Sequence, residues 1–179
     1  MSLSGKKVAI LATDYFEEAE LLSPREALQK AGASVEVIAP HSGEIKGLRH
    51  VEPGQSLAVD KTLDQADPND YDALIIPGGV VNADHLRIVP KARDFARKIM
   101  DEQGKPTAVI CHGPWLLVSS HLVRGKHLTS FPTIQDDIVN AGGNWSDETV
   151  VVDGNLISSR KPDDLPAFNA ALIEMLGKK

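Results

Sequence analysis

The chain has 179 residues, a formal net charge of −6 and no dense run of Lys or Arg, so neither a nucleic acid nor an anionic membrane is an expected partner. Hydrophobic residues at 42% and charged residues at 25% suit one globular domain over 1–179 with a sizeable core. A single cysteine cannot form an internal disulfide, which points to a reducing, cytoplasmic setting.

The N-terminus offers Lys6-Lys7 and then five apolar residues, Val8 to Ala12. That run is too short for a signal-peptide core or a membrane span. Met1-Ser2-Leu3 resembles a cloning remnant, and residues 1–5 are expected to be a tag or a disordered start.

Val8 to Ala12 reads as a central parallel strand covered on both faces. After the turn Thr13-Asp14-Tyr15-Phe16, a helix is expected from about Glu17 to Ala31, with acids at its start and Gly32 as its stop. Val35 to Ala39 is the second strand, which completes a β-α-β unit. From His41 to Asp70, Gly43, Gly47, Pro53 and Gly54 punctuate short apolar pieces and suggest a small hairpin or edge strands. Leu74-Ile75-Ile76 is a buried strand ended by Pro77-Gly78-Gly79, and a helix is expected from Asp84 to Gln103. Thr107 to Ile110 forms the next strand and delivers Cys111, after which Trp115 to Val118 continues as a helix. Gly125 to Ser130 reads as a strand, and Pro132 opens a helix that runs to Gly142-Gly143. Asp153-Gly154 between two β-branched runs predicts a hairpin. Asp163-Asp164 should cap a final helix through Phe168, Leu172 and Leu176. Strands alternating with helices argue a doubly wound α/β domain with a mostly parallel central sheet.

The chemistry centres on Val109-Ile110-Cys111-His112-Gly113-Pro114. A lone cysteine in an apolar run is ordinarily a small buried hydrophobe. Here, however, a strand stops sharply and turns into a helix, which leaves the corner residue exposed on a strained backbone. Backbone N–H groups and the helix dipole favour negative charge there. The carboxyl ends of strands in an open α/β sheet are also where ligands bind. Cys111 is therefore the candidate nucleophile.

Pro77-Gly78-Gly79 is a plain turn by itself. If its strand lies beside the Cys111 strand, an N–H of Gly78 or Gly79 converges with that of His112 to form an oxyanion hole. Glu17, Glu18 and Glu20 suit a helix N-terminus, yet one of them is placed to reach the thiol. Ionised, such a glutamate would raise the thiol pKa; protonated, it would donate a hydrogen bond to the thiolate. His112 need not face the thiol merely because it is adjacent in sequence. The histidines show no metal-ligand spacing, and no dinucleotide or phosphate loop is present, so neither a metal nor a cofactor is expected.

Together Phe16-Glu17-Glu18-Ala19-Glu20-Leu21, Ile76-Pro77-Gly78-Gly79, the cysteine motif, Leu128-Thr129-Ser130-Phe131-Pro132 and Ser159-Arg160-Lys161-Pro162-Asp163-Asp164 resemble the PfpI family. This is the group of intracellular protease I and the general stress proteins, within the superfamily of the parkinsonism-associated deglycase. The resemblance runs in order over essentially the whole chain. It implies a flavodoxin-like three-layer sandwich with a nucleophile elbow at Cys111, and it makes Glu20 the glutamate that hydrogen-bonds the thiol. It implies that His112 is oriented by an acid from a neighbouring subunit, which matches Asp84 here, in a homodimer or hexamer. Three functions follow. The first is a stress-protective cysteine hydrolase acting on reactive aldehydes or glycated protein. The second is a cysteine peptidase, and the third a redox sensor or chaperone that uses an oxidisable Cys111.

Overall fold

The computed structural model describes residues 1–178. In chain order it contains β1 (Lys7–Leu11), β2 (Phe16–Glu17), α1 (Glu18–Lys30), β3 (Ser34–Ala39), β4 (Glu44–Arg49), β5 (Glu52–Ala58), β6 (Lys61–Thr62) and β7 (Ala73–Ile76). There follow α2 (Val80–Leu86), α3 (Pro90–Arg97), β8 (Thr107–Ile110), α4 (Pro114–Ser119), β9 (His127–Leu128) and α5 (Gln135–Asn140). The C-terminal part adds β10 (Asn144–Trp145), β11 (Val151–Asp153), β12 (Leu156–Ser159) and α6 (Leu165–Gly177).

The central sheet has seven strands in the order β11-β12-β8-β7-β1-β3-β6. All neighbours are parallel except the edge pair β11 and β12, the hairpin that Asp153-Gly154 predicts. The strands are apolar throughout because both faces are covered. Val8 and Ile10 pack with Leu21 and Leu28 of α1 and with Phe168 and Leu172 of α6. Ala9 and Leu11, pointing the other way, pack with Leu86, Phe95, Leu116 and Ile138 of α2 to α5. The result is the flavodoxin-like three-layer sandwich. The chain crosses to β3 on one side of β1 and to β7 on the other, so a switch point lies between β1 and β7.

Four expectations are corrected. The helix expected over Asp84 to Gln103 begins earlier, at Val80, and breaks at Pro90. Val89 is extended (φ −83°, ψ 110°), as a residue before proline prefers, and Pro90 starts α3. Asp164 does not cap α6 through its side chain. Instead its carboxylate accepts hydrogen bonds from the Arg160 backbone N–H and guanidinium. The Gly125 to Ser130 strand shortens to two residues, which pair with β10 outside the main sheet. Finally, Leu3 is buried and its N–H donates to Ala31 O at 2.7 Å, so the start of the chain is packed rather than loose. The segment around His41 to Asp70 does form a hairpin, β4 and β5, to which β2 adds as a third strand.

Among the described residues no helix is long and apolar enough to cross a membrane.

Candidate active site

Strands β7 and β8 pair with Ile76 opposite Val109, so Pro77-Gly78-Gly79 and Cys111 leave the sheet side by side. Cys111 has φ +63°, a left-handed conformation unusual for a side-chain-bearing residue and worth about 1–3 kcal/mol of strain. Its neighbours hold it there. Cys111 N–H donates to Ser159 O at 3.1 Å, and Cys111 O accepts from Phe131 N–H at 2.9 Å. Gly113 is needed for a different reason: a Cβ there would lie 2.7 Å from Ile76 O and 2.9 Å from Ile110 O. Only a bare Cα lets the corner pass this close to the neighbouring strand.

Cys111 is 8% exposed and lines a cavity of about 710 Å³. Apolar side chains dominate the walls, including Leu48, Val51, Val80, Val81 and Phe131, with Lys161 and Asp163 at one side. His112 Nδ1 lies 3.2 Å from Cys111 Sγ. The imidazole is clamped on two sides, stacked on Phe131 at 5.0 Å and meeting Trp115 edge-on at 5.2 Å. Burial lowers the His112 pKa, against an opposing pull from the charge of Asp137, so the ring is neutral and able to accept a proton.

Glu20 comes from α1 and is fully buried. Its Oε1 accepts the Gly78 N–H at 3.0 Å, Oε2 has no hydrogen-bond partner among the described residues, and the carboxyl neighbours the Cys111 thiol. Burial, helped by the charge of Glu17, pushes the Glu20 pKa up to about 8, so the carboxyl is protonated at neutral pH. Burial and the Glu20 charge raise the Cys111 pKa, while the N–H groups of Gly79 and His112, both aimed at the sulfur, lower it. A protonated Glu20 removes that charge and offers a donor in its place.

Of the two glycines expected to form an oxyanion hole, only Gly79 faces the sulfur with His112. Gly78 is corrected: its N–H is taken by Glu20. Gly79 has φ +90°, and a Cβ there would lie 2.7 Å from both Tyr15 O and Glu17 N, so the turn requires glycine. Asp84 sits exposed on α2 and makes no hydrogen bond or ion pair with His112 within the chain. Among the described residues no cluster of three or more His, Cys, Asp or Glu is arranged to hold a metal ion.

The structure adds residues that the sequence did not single out. Asn82, fully buried on α2, accepts the Thr13 N–H at 2.7 Å and donates to Gly78 O at 2.9 Å and Pro77 O at 3.3 Å. It ties the end of β1 to the glycine turn. Its partners lie up to 69 residues away along the chain, and no local pattern marks it. Thr133 meets the far nitrogen of His112, with Oγ1 3.5 Å from Nε2.

A parallel sheet with helices on both faces and a cysteine at a strand-to-helix elbow define a flavodoxin-like α/β protein with its site at the strands' carboxyl ends. More narrowly, the chain belongs to the DJ-1/PfpI family, whose model matches residues 6–175. It is 40% identical over 172 residues to the putative cysteine protease YraA of Bacillus subtilis, covering 96% of this chain and 99% of that one. To protein/nucleic acid deglycase 2 of Escherichia coli it is 42% identical over 174 residues, covering 97% of this chain and 99% of the other. Among solved structures it resembles a two-domain protein of Anabaena variabilis with DJ-1/ThiJ/PfpI-like and ferritin-like domains. The TM-score is 0.90 at 41% identity over 96% of this chain, which spans about half (48%) of that longer protein.

Proposed function

We propose that this protein is a cysteine-dependent hydrolase acting on reactive α-oxoaldehydes and on their early adducts with protein amines. One observation carries the reading: His112 Nδ1 stands 3.2 Å from Cys111 Sγ, on the wall of a cavity that Gly79 and Glu20 also line. The name deglycase borne by the E. coli relative supports the substrate class.

In this reading His112 takes the thiol proton and Cys111 adds to the aldehyde carbon, giving a hemithioacetal whose oxygen receives the proton. From an amine adduct the thiol displaces the amine, which leaves carrying the proton from His112. Moving the C1 hydrogen to C2 as a proton, through a base in the site, converts the hemithioacetal to a 2-hydroxy thioester. Water then releases the hydroxy acid and restores the thiol. Gly79 and His112 N–H groups hold the oxyanion at each stage. Glu20, protonated, donates to the sulfur when it is charged.

A peptidase would use the same thiol, base and oxyanion donors for acyl transfer. The name of the B. subtilis relative, putative cysteine protease, supports this second reading. The resemblance alone supports a cytoplasmic setting and assembly as a dimer or hexamer, with Asp84 of one copy approaching His112 of another.

Methylglyoxal consumption and peptide cleavage, measured side by side on wild type, Cys111→Ala and Glu20→Ala, test the proposal. Aldehyde turnover lost in Cys111→Ala supports it; turnover that survives the substitution sinks it. Peptide cleavage abolished by Cys111→Ser, without aldehyde turnover in wild type, transfers the role to the peptidase.

A further inference from the structure

Among the described residues, four that carry a side chain adopt a left-handed backbone: Tyr15 (φ +67°), His50 (φ +58°), Cys111 (φ +63°) and His121 (φ +60°). Three of the four, Tyr15, His50 and Cys111, line the same cavity. Such conformations persist where the surrounding structure imposes them, and they gather at ligand sites. His50 and Val51 form the two-residue loop between Arg49 of β4 and Glu52 of β5, a turn that glycine or asparagine fills with less strain. The His50 N–H donates to the Glu17 carboxylate at 3.1 Å, which holds the loop in place. Tyr15 is held likewise: its N–H donates to Lys46 O at 2.6 Å, and the next two residues, β2, pair with β4. The turns account for the two backbones but not for the two side chains. Neither the Tyr15 ring nor the His50 imidazole makes a hydrogen bond, ion pair or ring contact with another described residue. Glycine would fit both positions better, so the rings are kept for something outside the chain.

We infer that Tyr15 and His50 bind the peptide that carries the aldehyde adduct, and that they favour peptide-borne adducts over free aldehyde. This rests on the cysteine chemistry proposed above and narrows its substrate class. Cys111 is buried, whereas Tyr15 and His50 are exposed. The wall they share therefore runs from the thiol outward to the two rings. The adduct carbon must reach the sulfur, which leaves its carrier lying along that wall. A cavity of about 710 Å³ suits a ligand far larger than an aldehyde such as methylglyoxal. Each ring presents a flat apolar face with a polar atom at its edge, which matches the mixed apolar and amide surface of a peptide. The Glu17 N–H, one residue beyond Phe16, donates to Gly78 O at 3.3 Å, so the segment that holds both rings is tied to the turn beside Cys111.

Two measurements on full-length protein test the inference. In the first, a short N-acetylated peptide with a central lysine competes with iodoacetamide for access to Cys111. It should slow alkylation of wild type, and the concentration that halves the rate should rise about tenfold in Tyr15→Gly and in His50→Gly. Glycine relieves the left-handed strain, so urea unfolding should find both variants no less stable than wild type, which separates a lost contact from a damaged fold. Tyr15→Asn and His50→Asn, also tolerant of this backbone, should behave alike. In the second, kcat/KM is compared for free methylglyoxal and for its early adduct with the same peptide. The loss in each variant should be about tenfold greater on the adduct. Peptide that protects wild type and variants equally, or protects neither, overturns the inference, as does an equal loss on both substrates. Variants that lose stability together with protection overturn it too, since the rings would then be structural. If wild type turns over no aldehyde, the proposed function fails while the protection arm still decides the role of the two rings.

Discussion

Glu20 and Cys111 meet across the bare Cα of Gly78. A methyl group on that carbon would lie 2.5 Å from Glu20 Oε1 and 2.6 Å from Cys111 Cβ. The glycine thus keeps the carboxyl and the thiol close while its N–H anchors the carboxyl at 3.0 Å. Gly78→Ala should displace both side chains. An overpacking cost of about 1–3 kcal/mol is expected in urea unfolding. Alkylation of Cys111 by iodoacetamide should change in rate, since its buried partner is pushed aside. A variant with wild-type stability and alkylation rate would refute this account of the glycine.

Glu20 should also set a pH dependence of stability. Its folded pKa is about 8, against an ordinary 4.5. Between those values the native state holds a proton that the unfolded chain has released, so stability falls as pH rises through this window. Below pH 4.5 the penalty vanishes, and above 8 it is fully present. At pH 7 it amounts to about 3 kcal/mol. Glu20→Gln keeps an acceptor for Gly78 N–H and cannot ionise. Its stability relative to wild type should therefore rise by about that amount from pH 4.5 to pH 7, read by urea unfolding at each pH. A difference independent of pH would show that Glu20 titrates normally.

Asn82 joins three backbone groups around the glycine turn. Asn82→Ala strands the buried Thr13 N–H, for a cost of about 1–3 kcal/mol. Because Gly78 O loses its donor, the adjoining Gly79 N–H should drift from the sulfur, lowering kcat more than it raises KM. Calorimetry together with steady-state kinetics checks both halves; a stability loss with intact kcat would leave Asn82 a purely structural role.

Arg160 binds Asp164 through Nε at 2.9 Å and Nη2 at 3.0 Å, and Asp147 through Nη1 at 2.9 Å. The segment it secures, Lys161 to Asp163, lines the cavity. Arg160→Ala leaves the 3%-exposed Asp164 side chain without its guanidinium, a loss of about 1–3 kcal/mol. With the wall loosened, KM should rise while kcat holds. Arg160→Lys should not repair this, because an ammonium cannot reproduce the two-nitrogen contact. Full recovery in the lysine variant would contradict the argument.

Much of the architecture was legible in the sequence because buried parallel strands are short continuous apolar runs. Val8 to Ala12, Leu74 to Ile76 and Thr107 to Ile110 all lie in the centre of the sheet. The Asp153-Gly154 hairpin was legible from its turn chemistry alone. The break within the helix expected over Asp84 to Gln103 is masked because Leu86, Phe95, Ile99 and Met100 all pack into one core cluster. Such periodicity continues across a break, and only Pro90 marked it.

Residue pattern alone names the types that meet at the carboxyl ends of the strands: a cysteine at a corner, a glycine turn before it, and a glutamate in the first helix. These are local signals, carried by residues a few positions apart. Packing in three dimensions sets how their hydrogen bonds are divided. It gave Gly78 N–H to Glu20 and left Gly79 with His112 to face the sulfur. It brought Asn82 to Thr13 and Thr133 to His112, across 69 and 21 residues of chain. Buried donors and acceptors must each find a partner, and which partner is in reach depends on packing between elements that no stretch of sequence contains.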